Sequence, residues 1–208
     1  AVTRNMQYIH LVTNAGTTLP TDLWVPSTLR VKPQISWQYA TGIFKNFKDN
    51  LFETSLEVYY KNMQHQIEYR AGYTPSSRET EEEFVFGRGW SYGTELYINK
   101  TRGKFTGWIG YTLSYSWRKF DALNSGKKYP AKYDRRHDLS VVGIYEVSPK
   151  WKVSGVFVYA TGNAISLPER FYLIEGLLTQ QYSAVNQYRM SPYHRLDLSA
   201  TYTPNPYS

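Results

Sequence analysis

Cysteine is absent from the 208 residues, so no disulfide framework holds the chain and no thiolate is offered to a metal. No run of 18 or more apolar residues occurs, which excludes a membrane-spanning helix. The opening residues, Ala1-Val-Thr-Arg-Asn-Met-Gln7, lack the basic, apolar and small-residue zones of a secretion signal. Either a signal has been removed or the chain begins inside a longer protein. Thr203-Pro-Asn-Pro-Tyr-Ser208 reads as a turn that stops, so both ends look cut. No Ser/His/Asp set has the elbow or spacing that hydrolysis needs. A non-enzyme without cofactors is expected.

Aromatics are abundant: 17% of the chain, with 20 Tyr, 9 Phe and 6 Trp. Yet the mean hydropathy of −0.53 is that of a polar protein. The two agree if apolar and polar residues alternate along strands, one face greasy and the other wet. Phe105–Arg118 shows this most clearly. Phe105, Gly107, Ile109, Tyr111, Leu113 and Tyr115 alternate with Thr106, Trp108, Gly110, Thr112, Ser114 and Ser116. Side chains leave a strand on opposite faces with period two, and no helical period fits this run. Similar alternation runs through Ile35–Ala40, Phe52–Lys61, Trp90–Asn99, Trp151–Tyr159 and Arg195–Tyr202. The stretch His137–Val147 is less clean, because Val142 and Ile144 fall on its polar side. Gln7–Val12 reads as the end of an earlier strand.

Connections alternate strictly between short and long. Asn46–Asn50, Thr101–Gly103 and Ser148–Lys150 carry turn residues. Thr13–Lys32, Ala71–Phe84, Asp121–Arg136 and Thr161–Tyr193 are long and polar. Strands of membrane length, long loops at one end and tight turns at the other describe an outer-membrane barrel wall. Trp24, Trp37, Phe44, Phe47, Phe52, Trp90, Phe105, Phe120, Trp151, Tyr159 and Tyr202 recur near strand ends, as interfacial girdles require. The expected fold is all-β: one antiparallel transmembrane β-barrel segment of about eight strands over 1–208, with long outer loops and short periplasmic turns. Two other readings stay open. One is a complete small eight-stranded outer-membrane protein with a structural or adhesive role. The other is a soluble all-β carbohydrate-binding domain.

The net charge is +7, but the basic residues are spread over loops and strand ends, which suits lipid phosphates better than nucleic acid. The densest basic stretch is Lys127-Lys-Tyr-Pro-Ala-Lys-Tyr-Asp-Arg-Arg-His137. Its Lys127, Lys128, Lys132, Arg135, Arg136 and His137 could meet lipopolysaccharide phosphates or an anionic ligand at the rim. Alternatively, Arg135 and Arg136 pair with luminal carboxylates such as Glu95 or Asp138. Arg195 and Asp197 share a strand face and read as a luminal ion pair or a ligand contact. Glu79–Glu83 is a solvated acidic run, or a weak divalent-cation site. His10, His65, His137 and His194 have no metal-ligand spacing. Gly87-Arg-Gly-Trp-Ser-Tyr-Gly93 lacks the spacing and helix of a dinucleotide loop, and its glycines read as easing strand curvature and packing.

Several stretches resemble, in order, the C-terminal barrel region of TonB-dependent outer-membrane receptors, particularly the Bacteroidota kind. They include Gln7-Tyr-Ile-His-Leu, Leu19-Pro-Thr-Asp-Leu-Trp-Val-Pro26, Glu57-Val-Tyr-Tyr-Lys61 and Ser91-Tyr-Gly-Thr-Glu-Leu96. Gly107-Trp-Ile-Gly-Tyr-Thr-Leu-Ser114, Asp134-Arg-Arg-His-Asp-Leu139, Tyr159-Ala-Thr-Gly-Asn163 and Tyr193-His-Arg-Leu-Asp-Leu198 follow. The resemblance implies a barrel of about 22 strands with a plugged lumen, of which about eight strands are roughly a third. It implies active ligand import across the outer membrane. The expected partners are outer-membrane lipid and lipopolysaccharide, the remaining barrel and plug, the TonB system through an N-terminal part, and a surface lipoprotein. The plug and coupling segment are not in this sequence.

Overall fold

The computed structural model describes residues 1–12, 23–70, 80–174, 177–181 and 184–204. Its strands are β1 (Val2–Gln7), β2 (Ile9–Val12), β3 (Leu23–Pro26), β4 (Gln34–Phe47), β5 (Phe52–Tyr69), β6 (Phe84–Lys100) and β7 (Phe105–Phe120). There follow β8 (Tyr129–Pro130), β9 (His137–Ser148), β10 (Trp151–Ala160), β11 (Ala164–Ile165), β12 (Arg170–Ile174), β13 (Leu177–Gln181), β14 (Tyr188–Arg189) and β15 (Tyr193–Tyr202). Eight of them form one antiparallel sheet in the order β1-β4-β5-β6-β7-β9-β10-β15, with β8 added beside β7. Each wall strand pairs with the next wall strand in sequence. The sheet is open, ending at β1 and β15.

The strand-pairing register sorts the residues of this wall onto two faces. Paired residues share a face, so the cross-strand rows can be followed from strand to strand. One face carries Ile43↔Leu56↔Leu96↔Tyr111↔Leu139 and, one row along, Ile98↔Ile109↔Val141↔Phe157↔Leu196. The other carries every wall carboxylate: Glu53, Glu57, Glu68, Glu95, Asp138, Glu146 and Asp197. Cations appear on the apolar face only towards its ends, with Lys45 and Lys100 at the short-turn end and Arg4, Arg88 and Lys119 at the loop end. This is the division expected of a wall with hydrocarbon on one side and water on the other.

Aromatic rows bound the apolar band. Tyr39, Tyr60, Tyr92 and Tyr115 stand in register across four strands, with Tyr92 and Tyr115 stacked at 5.4 Å. Phe47, Phe52, Phe105, Tyr145, Trp151 and Tyr202 mark the other end. Tyr115 and Phe105 lie ten positions apart on β7. That is about 33 Å of strand, or about 25 Å of height at a tilt of ~40°, the height of an outer-membrane apolar band. Three residues expected in these girdles lie elsewhere: the register puts Phe44 and Phe120 on the charged face. Trp24 lies on β3, outside the wall.

β5, β6 and β7 have 18, 17 and 16 residues, several more than the roughly 9–11 a tilted crossing needs. Their surplus stands at the loop end, where it is covered on both faces. On the apolar side, Val12, Val25 and Val31 from the first long connection cluster with Ile67, Tyr69 and Phe84. On the charged side, Leu123 and Tyr129 cluster with Val85 and Phe120. The buried core therefore sits above the membrane band, not within the sheet's middle. A bulge between Met63 and Gln66 starts this extension. His65 takes a left-handed conformation there (φ 55°) and its Nδ1 lies 2.9 Å from the Pro33 carbonyl. One extra residue on β5 reverses the parity of everything beyond it.

Gln7–Val12 is not a single strand end. β1 leaves the wall at Gln7, and Ile9–Val12 forms a separate hairpin with Leu23–Pro26. The glycines of 87–93 serve close packing. At Gly87 a Cβ would come within 2.6 Å of the Phe120 ring, and at Gly93 within 2.9 Å of the Tyr59 ring.

Candidate functional site at the loop end

The basic stretch 127–137 belongs to the connection that climbs from β7, forms β8 and descends into β9. Its backbone continues the β7 ladder: Ala131 N donates to Ser116 O at 2.9 Å and Ser114 N to Arg136 O at 2.9 Å. Between these two bonds Asp134, only 2% exposed, accepts from Ser116 N at 2.6 Å through Oδ1. Its other oxygen pairs with the Arg189 guanidinium and lies 3.8 Å from Arg136 Nε. Arg189 Nη1 also donates to the Asp134 carbonyl at 2.6 Å and to the Gly162 carbonyl at 3.3 Å. One buried carboxylate thus ties two long connections and the β7 edge together. A buried ion pair holds only when its remaining polar groups are also satisfied; the backbone does that for Asp134 and for Arg189 Nη1, whereas Arg136 Nε has charge proximity to Asp134 without a hydrogen bond.

Further bonds follow the same seam. Arg135 Nε donates to Asn163 Oδ1 at 3.2 Å, Asn186 Nδ2 to Pro130 O at 3.0 Å, and Ala164 N to Lys132 O at 3.2 Å. Arg135 and Arg136 therefore find Asn163 and Asp134, not Glu95 or Asp138. The reason is geometric: these two strand carboxylates sit below the loop, whereas Asp134 lies in the loop itself. His137 is on the apolar face opposite Leu113. Its Nδ1 lies 2.8 Å from the Tyr111 hydroxyl, and its backbone exchanges bonds with Thr161.

Lys127 and Lys128 stay exposed, Lys128 with its ammonium 4.8 Å from the Trp117 ring centre. Lys132 lies against Tyr133, 5.5 Å from its ring centre. Arg195 and Asp197 form their pair, Nε to Oδ1 at 2.9 Å, on the charged face of β15, two strands along the sheet from β9, with Arg195 in register through Val158 with Ser140. The eight candidates therefore fall in two places.

A second buried cluster escaped the sequence reading. Glu68, on the extension of β5, faces Arg118 at 3.6 Å and sits beside the Tyr129 hydroxyl. Burial, and next the Glu68 charge, push the Tyr129 phenol above its ordinary value. The signal was available: apolar residues on β5 occupy even positions from Phe52 to Tyr60 and odd ones at Ile67 and Tyr69, which betrays the bulge and puts Glu68 on the charged face.

No group of three or more metal-ligating side chains occurs among the described residues. Glu79 lies outside the described residues; Glu82 of the same acidic run pairs with Arg30 at 3.3 Å. His10 is buried with its Nε2 3.0 Å from Ser27 Oγ, and His194 stands opposite Tyr159 on the apolar face. The site offers cations, tyrosines and amides on a rim.

No curated protein matches the sequence. The family model described as "TonB dependent receptor-like, beta-barrel" matches residues 8–207, nearly the whole chain, including all the strands from β2 to β15 and both loop-end clusters. With its two-faced wall and its loops gathered at one end, this chain belongs to the TonB-dependent receptor-like β-barrel family.

Proposed function

We propose that this chain is a contiguous part of the wall of a larger plugged barrel that imports a ligand across a bacterial outer membrane, driven through TonB. The observation that carries the reading is the sorting of every wall carboxylate onto one face, away from the uncharged aliphatic and aromatic rows that fill the middle of the other. A water-filled or plugged lumen needs the first, and lipid needs the second. The open edges at β1 and β15 suit neighbouring strands on both sides. In this reading the loop-end seam holds the outer connections in place, while Lys127, Lys128 and Lys132 offer charge to an anionic ligand or to lipopolysaccharide. Arg135, Arg136 and His137 anchor the seam, and Arg195 with Asp197 faces the lumen.

The motifs Asp134-Arg-Arg-His-Asp-Leu139 and Tyr159-Ala-Thr-Gly-Asn163 favour the Bacteroidota type, with a surface lipoprotein resting on the outer loops. Cysteine substitutions test the orientation in intact cells. Lys128→Cys in the full-length protein should react with a membrane-impermeant maleimide, and Asn50→Cys and Lys150→Cys should react only after lysis. External labelling of the short turns would reject the proposed topology. Recovery of a lipoprotein with the detergent-purified receptor would support the finer assignment, and a receptor that purifies alone would count against it.

A further inference from the structure

The β2–β3 hairpin is apolar on both sides. Its inward residues, Val12 and Val25, pack on the extension of β5 and β6 together with buried His10. The wall residues beneath them, Ile67, Tyr69 and Phe84, lie on the lipid side of the sheet by register. The hairpin therefore rests on the barrel's exterior, and its other side looks away from the barrel. That side carries Ile9 opposite Pro26 and Leu11 opposite Trp24, with Ile9 56% and Trp24 62% exposed and Tyr8, just before them, 58% exposed. Leu29, in the turn after β3, is fully exposed. A soluble loop has no reason to cover a dry cluster and then present a second greasy side to water.

Height decides what meets it. The hairpin starts at Ile9, two residues after Gln7, which pairs with Gln34. Three positions below Gln34 on β4 is Trp37, in register through Asn62 with Trp90 and Trp117. That is about 10 Å of strand, so the exposed side continues the upper aromatic belt outward without a gap. Arg4 lies over the Trp37 ring, 5.9 Å from its centre, Arg88 shares this face and Lys32 is exposed beside the cluster. No wall carboxylate stands on this face to oppose them. We propose that the β2–β3 hairpin is a lipid anchor, seating Tyr8, Ile9, Leu11 and Trp24 in the headgroup layer of the outer leaflet, with lipopolysaccharide phosphates meeting Arg4, Lys32 and Arg88. Trp and Tyr favour that layer, and basic groups beside it add attraction to anionic lipid. The inference rests on the barrel reading of the wall.

Cysteine is absent from this chain, so within it each introduced thiol carries the label at one site. Nitroxide labels at Ile9→Cys and Trp24→Cys, in the full-length protein in bilayers containing lipopolysaccharide, report collisions with oxygen and with a water-soluble nickel chelate. Labels at Leu96→Cys, mid-band on the wall, and at Ser125→Cys, in an exposed loop, give the two limits. Labels at 9 and 24 should give an oxygen-to-chelate collision ratio between the two limits, several-fold above the Ser125 value and below the Leu96 value. Values matching Ser125, or shielding from both reagents as under a protein partner, overturn the anchor. A Leu96 label that meets the chelate freely overturns the barrel reading, and the anchor with it. Replacing lipopolysaccharide by zwitterionic phospholipid should make both hairpin labels shallower, and unchanged depth would reject the assigned lipid.

Discussion

At the scale of single residues, Asp134 does more than any member of the basic stretch that surrounds it. Asp134→Ala removes the carboxylate that faces Arg189 and accepts from the Ser116 amide, and removing one partner of a buried pair costs about 3 kcal/mol or more. The expected result is faster amide exchange at both 131–137 and 161–165, with exchange in the mid-wall of β5 and β6 unchanged. His10 yields a prediction of defined sign. Burial lowers its pKa from 6.5, so the folded hairpin prefers the neutral ring while the unfolded segment takes up a proton more readily. Stability from this group is complete above about pH 6.5 and declines as pH falls through that value towards the lowered folded pKa. Protection factors at Val12 and Val25, with exchange taken relative to the free amide at each pH, should fall on acidification, and His10→Gln should flatten the profile. Across the charged face, Glu57 stands directly opposite Glu95, an arrangement that costs about 0.2–1 kcal/mol. Glu95→Gln should raise the urea midpoint of the refolded chain by a corresponding amount. The basic cluster was legible in the sequence because its charges are contiguous. Its partners Asn163 and Arg189 were not, since they come from a long connection whose spacing carries no period.

At the scale of elements, the seven long strands from β4 to β15 were legible through period-two alternation, and so was the strict exchange of long and short connections. What alternation could not show is where a strand leaves the membrane. The extension of β5–β7 keeps the same period above the bilayer as within it, and only the parity change at His65 marks the boundary. β3 and the short pairs β11–β14 and β12–β13 were hidden inside what read as loops, being too short for a pattern to emerge, while β2 read as the end of a wall strand. The extension also has a stricter packing requirement than the wall. At Gly87 a Cβ would meet the Lys119 carbonyl and the Phe120 ring, so Gly87→Ala forces either strand separation or displacement of a fully buried ring. A loss of about 1–3 kcal/mol is expected from such overpacking. It should appear as exposure of the Phe120–Tyr129 cluster to exchange, with mid-band protection retained.

At the scale of the whole molecule, the open sheet has a two-sided wall but two unsatisfied edges, each a row of backbone donors and acceptors. Expressed as it stands and refolded in detergent, the chain should form dimers and larger species by light scattering, through β1 and β15. A stable monomer would instead favour closure of these eight strands on themselves. The extension above the band carries a different consequence, one of timing. Its apolar clusters are built from loop residues that must first be delivered to the far side of the bilayer. They cannot condense while the hairpins are still crossing, so the cap is assembled last, from chain translocated in extended form. In the proposed topology this last step of folding falls outside the cell, and the condensed cap, wider than a bare hairpin, opposes withdrawal of the strands through the lipid.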